Sequence, residues 1–565
     1  MKKVRSPEFR VRSFVYIRTS VLLLFLFLSI PFFAQHTLPM NEDGPSFGDT
    51  LMKSSPKHSA VKPYLDLDVY SSICFADEFI GNRSSATMRV CKPRLSWRNY
   101  YTTGGFNYAA DRPDPRKFAF LLRPVYDFQA GTDLKANRTL LNTIGGIVLD
   151  ADYKQKIGIE ARFVSGMTVL PGYQDSIAAD YLTIPGWSDR AHSKGNGKYT
   201  FSHFSGNLIW RPSKVFNLQV GRDKHFIGDG YRSLFLSDIS SAYPYVKQQT
   251  TIWKLQYTSI FAWLKNPEDS AFWGDTAKHY PNKFATMHYI SFNAAKWLNI
   301  GVFEAVVWQG EDANRHRGFD PDYLNPLVFF RPVEYSLGSS DNAMLGLSVK
   351  ISFNRNNQLY GQFMLDEFYL KEIKKLKQGW WANKQGIQIG YKCFNFGQVK
   401  NFFMQTELNI VRPYTYSHGS PQQSYSNAYM PLAHPLGANF AELFGMLSYR
   451  WKGLTVTGKL VGARMGLDPA GKNFGQNIFA SYITRSSTDP AHPNAVDYNH
   501  HLFDGLSTNI FYAELKTAYQ FRTAFPLRLE LTAGARSFHN LNSTQKSSYV
   551  LAGLCLPLWR AYRDY

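Results

Sequence analysis

The chain has 565 residues, 44% hydrophobic and 16% aromatic, with a formal net charge of +20. After Ala34 no uninterrupted apolar stretch reaches the roughly 20 residues that a membrane helix needs, which excludes a helical membrane bundle. A basic balance also suits nucleic acid, but an exported chain would not meet it, and the first residues point to export.

Lys2, Lys3, Arg5, Arg10, Arg12 and Arg18 precede the apolar run Val21–Phe33, a pattern that predicts a signal peptide over 1–34 with cleavage after Ala34. Phe32 stands where the cleavage rule prefers a small side chain, and no Cys follows to carry a lipid anchor. The run is short for an uncleaved membrane helix. The leader's six basic residues and Glu8 account for +5 of the charge, leaving about +15 on the mature chain.

Residues 35–115 contain only short possible strands, Tyr64–Tyr70 and Thr87–Cys91, then a Gly/Pro/Asp-rich approach at Gly104–Arg116. They read as a periplasmic or lumen-inserted segment. Cys74 and Cys91 could form one disulfide in an oxidising compartment. Cys393 shares a strand face with Ile387, Ile389 and Tyr391 and is expected to face lipid. With Cys555 these are the four cysteines, and none has metal-site spacing.

Over 116–565 short alternating segments recur to the end of the chain. Leu527, Leu529, Leu531, Ala533 and Ala535 fall on one face of a strand, and Arg528, Glu530, Thr532, Gly534 and Arg536 on the other. The pattern returns at Ile157–Phe163, Leu347–Phe353, Leu454–Leu460 and Phe511–Tyr519. Candidate strands pair through tight turns at Pro212-Ser213, Ala294–Lys296, Arg355–Asn357, Lys452-Gly453 and Thr523–Pro526. Long segments over 171–198, 224–249, 309–342, 412–443 and 484–508 separate the pairs. Short turns at one end and long loops at the other predict a single antiparallel transmembrane β-barrel of about 18 strands in the outer membrane. One stretch, Thr250–Leu264, lacks a partner, so either a strand hides in 224–249 or 265–284 or one of the strand assignments is false. The terminal aromatic in Leu558–Tyr565 suits a closing barrel strand.

An exported basic barrel has acidic lipid headgroups or an anionic surface polysaccharide as partners. Its charges also suit lumen ion pairs, such as Glu160 with Arg162 or Lys516 with Glu514. The densest motif runs from Gly221 to Leu234. Within it Arg222, Asp223, Lys224, Asp229, Tyr231 and Arg232 form a candidate glycan-binding set, the cations for acidic sugar groups and Tyr231 for stacking. Arg222, Asp223, Lys224, Asp229 and Arg232 would also make a lumen hydrogen-bond network that pins an inward loop. Asn325–Tyr335 and Pro431–Phe440 are two further unusual stretches beside long connections.

At Gly221–Leu234 and Pro431–Phe440 the chain resembles the Wzi-like capsule-assembly family of outer-membrane barrels, on the side of its RemB-type gliding-motility branch. The resemblance covers most of 115–565. It implies an eighteen-stranded, non-catalytic barrel that binds surface polysaccharide in capsule assembly, adhesion or gliding. A pore for solute passage is the alternative. A hydrolase is a third reading, since His492, Asp497, His500 and His501 cluster in one long segment; yet no Gly-x-Ser-x-Gly elbow occurs. No metal and no cofactor are expected.

Overall fold

The computed structural model describes residues 58–63, 118–153, 156–181, 183–188, 191–266, 282–310, 318, 323, 341–366, 378–486, 497–521, 527–555 and 562–565. The leader, Cys74, Cys91, both short strand candidates of the N-terminal segment and Asn325–Tyr335 lie outside them. Among the described residues no helix is long and apolar enough to cross a membrane. The crossing elements are strands, and eighteen of them close into one antiparallel barrel.

In chain order the first nine are β1 (Phe118–Asp133), β2 (Arg138–Tyr153), β3 (Ile157–Val169), β4 (Lys198–Trp210), β5 (Phe216–Asp223), β6 (Tyr243–Ile252), β7 (Leu255–Lys265), β8 (Asn282–Asn293) and β9 (Leu298–Gln309). The second nine are β10 (Asn342–Ser352), β11 (Asn357–Leu365), β12 (Gln385–Cys393), β13 (Phe402–Val411), β14 (Phe440–Trp451), β15 (Leu454–Leu467), β16 (Leu506–Gln520), β17 (Arg528–His539) and β18 (Thr544–Cys555). Each pairs with the next, and β18 returns to β1 from Asp127↔Cys555 to Asp133↔Tyr549. A helix, α1 (Gly172–Tyr181), lies in the connection between β3 and β4.

Alternation decides which side chain meets lipid. On β17, Leu529 and Leu531 are exposed whereas Glu530 and Thr532 are buried. The inward charges pair along a strand, Arg162 with Glu160 at 3.9 Å, and across strands, Lys459 with Glu514 at 3.2 Å and Lys516 with Glu530 at 2.9 Å. The Lys516 partner is thus Glu530, one strand over, instead of Glu514. Trp210, Trp253, Trp297, Phe353, Trp451 and Tyr519 are exposed, and all lie at the short-turn end. Lys254 and Lys452 stand over Trp253 and Trp451 at 5.1 and 4.7 Å. Amphipathic rings with flanking cations mark a membrane–water boundary.

The unpaired stretch resolves here. Thr250–Leu264 is parts of two strands, β6 and β7, joined by a two-residue hairpin at Trp253-Lys254. Two further expectations are corrected. Cys393 keeps the register it shares with Ile389 and Tyr391, paired with Met404, but at the end of β12 it is buried instead of exposed to lipid. The closing strand ends at Cys555, and residues 562–565 lie inside the molecule with Tyr562, Asp564 and Tyr565 buried.

Candidate functional site

β5 is short, and beyond Asp223 the chain turns into the lumen instead of continuing up the wall. The inward loop 224–242 is almost wholly buried. Phe226 and Ile227 pair with Lys62 and Val61, so residues 58–63 are also inside the barrel. Gly230 allows the closest approach to the wall. A Cβ there would fall 2.4 Å from Glu407 Oε2. Without it, the Tyr231 and Arg232 amides donate to the Glu407 carboxylate at 2.8 and 3.0 Å. Wall amides complete the cradle: Gln388 Nε2 donates to Arg232 O at 3.0 Å, and Gln362 Oε1 accepts from Leu234 N at 2.8 Å. Loop backbone polar groups buried this deeply need such partners.

Arg232 is the hub. Its side chain is 1% exposed and pairs with Glu442 at 3.0 Å and Asp564 at 3.3 Å. Burial works against its charge, but Asp564 and Glu442 outweigh that and raise its pKa. Glu442 also meets His434 Nε2 at 2.8 Å. The two motif stretches that carry the family resemblance, Gly221–Leu234 and Pro431–Phe440, therefore converge on one carboxylate. Just beyond the first stretch, Ser237 touches the second: its amide donates to Leu432 O at 2.7 Å and its hydroxyl donates to Ala433 O. His434 is held below its ordinary pKa by burial, against the pull of Glu442.

The rest of the predicted set is used in the same way. Tyr231 stacks on Phe444 with centroids 3.9 Å apart and donates to Asp564 Oδ2 at 2.6 Å. Lys224 donates to the carbonyls of Gly186 and Asp238, and its burial lowers its pKa. Asp223 accepts from Asn207 Nδ2 at 3.0 Å. Asp229 accepts from Ser59 Oγ and lies 3.7 Å from Lys350. Arg222 is half-buried at the end of β5, opposite Gly206 and Pro244. The structure thus gathers all six in or beside the inward loop, and Asp229, Tyr231 and Arg232 fasten it to the wall.

The long-loop end carries a different cluster, unmarked in the sequence because its members come from separate loops. Trp380, Trp381 and Tyr482 are half-buried. Trp381 and Tyr482 have centroids 4.6 Å apart, and Arg485 lies 4.6 Å over Trp381. Asp497 belongs to this cluster through a 2.6 Å ion pair with Arg485. His500 is buried with Nδ1 3.2 Å from Tyr414 Oη, His501 is exposed, and His492 falls outside the described residues. Among the described residues no group of three or more His, Cys, Asp or Glu is placed to hold a metal ion.

No protein-family model matches the chain, and no characterised protein matches it in sequence. Solved structures similar to it are outer-membrane barrels. One is Wzi of Escherichia coli, a carbohydrate-binding β-barrel involved in group 1 capsule assembly, at TM-score 0.48 and 11% identity over 78% of this chain and 85% of that one. Another is OprD of Pseudomonas aeruginosa, at TM-score 0.39 and 10% identity over 77% and 94%. A third is OccK8 (OprE) of the same organism, at TM-score 0.41 and 10% identity over 78% and 98%.

Proposed function

We propose that this chain is a non-catalytic outer-membrane barrel that organises surface polysaccharide, in capsule assembly, adhesion or gliding, as a member of the Wzi-like family on its RemB-type side. The observation that carries the reading is the occupied lumen. A barrel whose interior carboxylates and amides are bonded to an inward loop is suited to present its outer loops and poorly suited to pass solute. In this reading the six residues from Arg222 to Arg232 act from inside, holding the loop that supports the outer surface. The glycan itself meets the accessible edges of Trp380, Trp381 and Tyr482, with Arg485 offering a planar cation for uronate or other acidic groups.

The test compares cell-bound with shed polysaccharide in a strain lacking the protein. Shed glycan at normal total yield is the expected result. Unchanged retention would remove the polysaccharide reading and bring the pore forward. Restoring the strain with the double variant Trp381→Ala, Arg485→Ala should leave barrel assembly intact while retention stays low.

A further inference from the structure

The last described residues make the densest set of directed contacts in the lumen. Four successive main-chain oxygens are each taken by a side-chain donor, and the donors come from three places in the sequence. Tyr562 O accepts from Gln174 Nε2 at 3.2 Å and Arg563 O from Tyr173 Oη at 2.6 Å, both donors on α1. Asp564 O accepts from Arg232 Nη2 at 2.6 Å, on the inward loop, and Tyr565 O from Arg536 Nε at 3.0 Å, on β17. Side chains add selectivity to this backbone capture. Tyr562 Oη donates to Asp238 at 2.5 Å, the Asp564 carboxylate takes Tyr231 Oη and Arg232, and Tyr565 Oη accepts from Gln174 at 3.3 Å.

The partners do not depend on this segment for their own balance. Arg232 keeps Glu442, and Tyr231 keeps its stack on Phe444 and its amide bond to Glu407. Arg563 lies in the field of Glu514, which keeps Lys459. The segment itself brings one cation and one anion. Removing it takes from Arg536 the oxygen of Tyr565 but leaves that guanidinium over the rings of Tyr173 and Phe538. Backbone carbonyls read one after another, with pockets for alternate side chains, are how proteins hold peptides.

We infer that α1, the inward loop and β17 form a peptide-binding site, filled in this chain by its own Tyr562–Tyr565, for a segment of the pattern tyrosine, any residue, aspartate, tyrosine. The site is exchangeable, so the same sequence supplied separately occupies it when the resident segment is gone. This goes beyond the polysaccharide reading and does not rest on it.

The experiment uses the otherwise full chain lacking residues 562–565, in detergent micelles, with folding checked by heat-modifiable migration. The probe is a fluorescein-labelled Tyr-Arg-Asp-Tyr peptide followed by anisotropy. Saturable binding is expected, weakened at least tenfold when the probe's Asp becomes Asn. The undeleted chain should take up no probe at micromolar concentration, because a tethered segment competes at an effective concentration on the order of millimolar. A folded, deleted barrel that binds no probe, or binds both probes alike, overturns the inference. If the deletion does not fold, the full chain carrying Tyr562→Phe and Asp564→Asn is used. Probe uptake by that weakened variant is expected, and its absence at millimolar probe overturns the inference equally.

Discussion

Arg232 shows what a single buried charge does here. Replacing it with Met leaves Glu442 and Asp564 facing each other with no cation between them, and breaking a buried pair from one side costs about 3–5 kcal/mol. The unfolding midpoint of Arg232→Met in urea should fall accordingly, and adding Glu442→Gln should recover part of the loss; two additive losses would show that the pair is not coupled. His58 supplies a pH response. Its Nε2 accepts from Asn293 Nδ2 at 3.2 Å while Nδ1 lies 2.7 Å from Ser291 Oγ. The ring is therefore neutral, and burial, assisted by Lys350, lowers its pKa to about 4. The unfolded ring titrates near 6.5. Above that pH the contribution is complete. Below it only the detached state takes a proton, so stability is lost as pH falls toward 4, by at most roughly 3 kcal/mol at 1.36 kcal/mol per pH unit. The protection factors of the Ala60 and Val61 amides, which compare exchange with its intrinsic rate at each pH, should fall between pH 7 and pH 4.5, and His58→Gln should flatten that dependence. The motif Arg222–Arg232 was legible in the sequence as a crowd of charge between glycines. Its partners were not, since Glu407 and Glu442 look like any inward residue of an alternating strand.

At the scale of elements, alternation carries the fold because each strand separates lipid from lumen residue by residue. Where a glycine faces inward it makes room for a ring on the next strand. A Cβ on Gly534 would come within 2.3 Å of the Tyr549 ring, so Gly534→Ala should cost about 1–3 kcal/mol by overpacking. Gly445, on the outward register of β14, has no atom within 4 Å of such a Cβ. Gly445→Ala should stay within about 0.5 kcal/mol of the parent. Equal losses in thermal unfolding would mean that the ring can move aside. The same register made the strands readable from sequence, along with the turns that carry Gly, Pro or Asn. The hairpin at Trp253-Lys254 was missed for a physical reason. Trp253 takes a left-handed conformation, φ 54°, with none of the residues that favour it. Selection there is for a ring at the membrane boundary, and the turn follows from strand pairing on either side. The inward path of 562–565 was hidden likewise: its aromatic ends look like a closing strand until the partners on α1 and the inward loop are known.

For the whole molecule the deciding property is how the lumen is filled. In an open barrel the inward polar side chains face water and line a passage. Here Gln362, Gln388 and Glu407 spend their hydrogen bonds on the backbone of the inward loop. That loop is fastened at its entry by Lys224, which donates to Gly186 O in the connection between β3 and β4, and at its turn by Arg232. Displacing it would strand buried carboxylates on the wall and backbone amides on the loop together, each costing about 1–3 kcal/mol. The loop should therefore leave only as a unit. Reconstituted in a planar bilayer, the intact protein should show no sustained conductance. The pair Lys224→Met, Arg232→Met removes both fastenings while leaving the wall's outward face unchanged, so the barrel can still insert. Intermittent openings are expected from it, more frequent than from either single variant. A large, steady conductance from the unaltered chain would mean that the inward loop does not hold the lumen in the membrane. The pore would then replace surface organisation as the activity that this architecture serves.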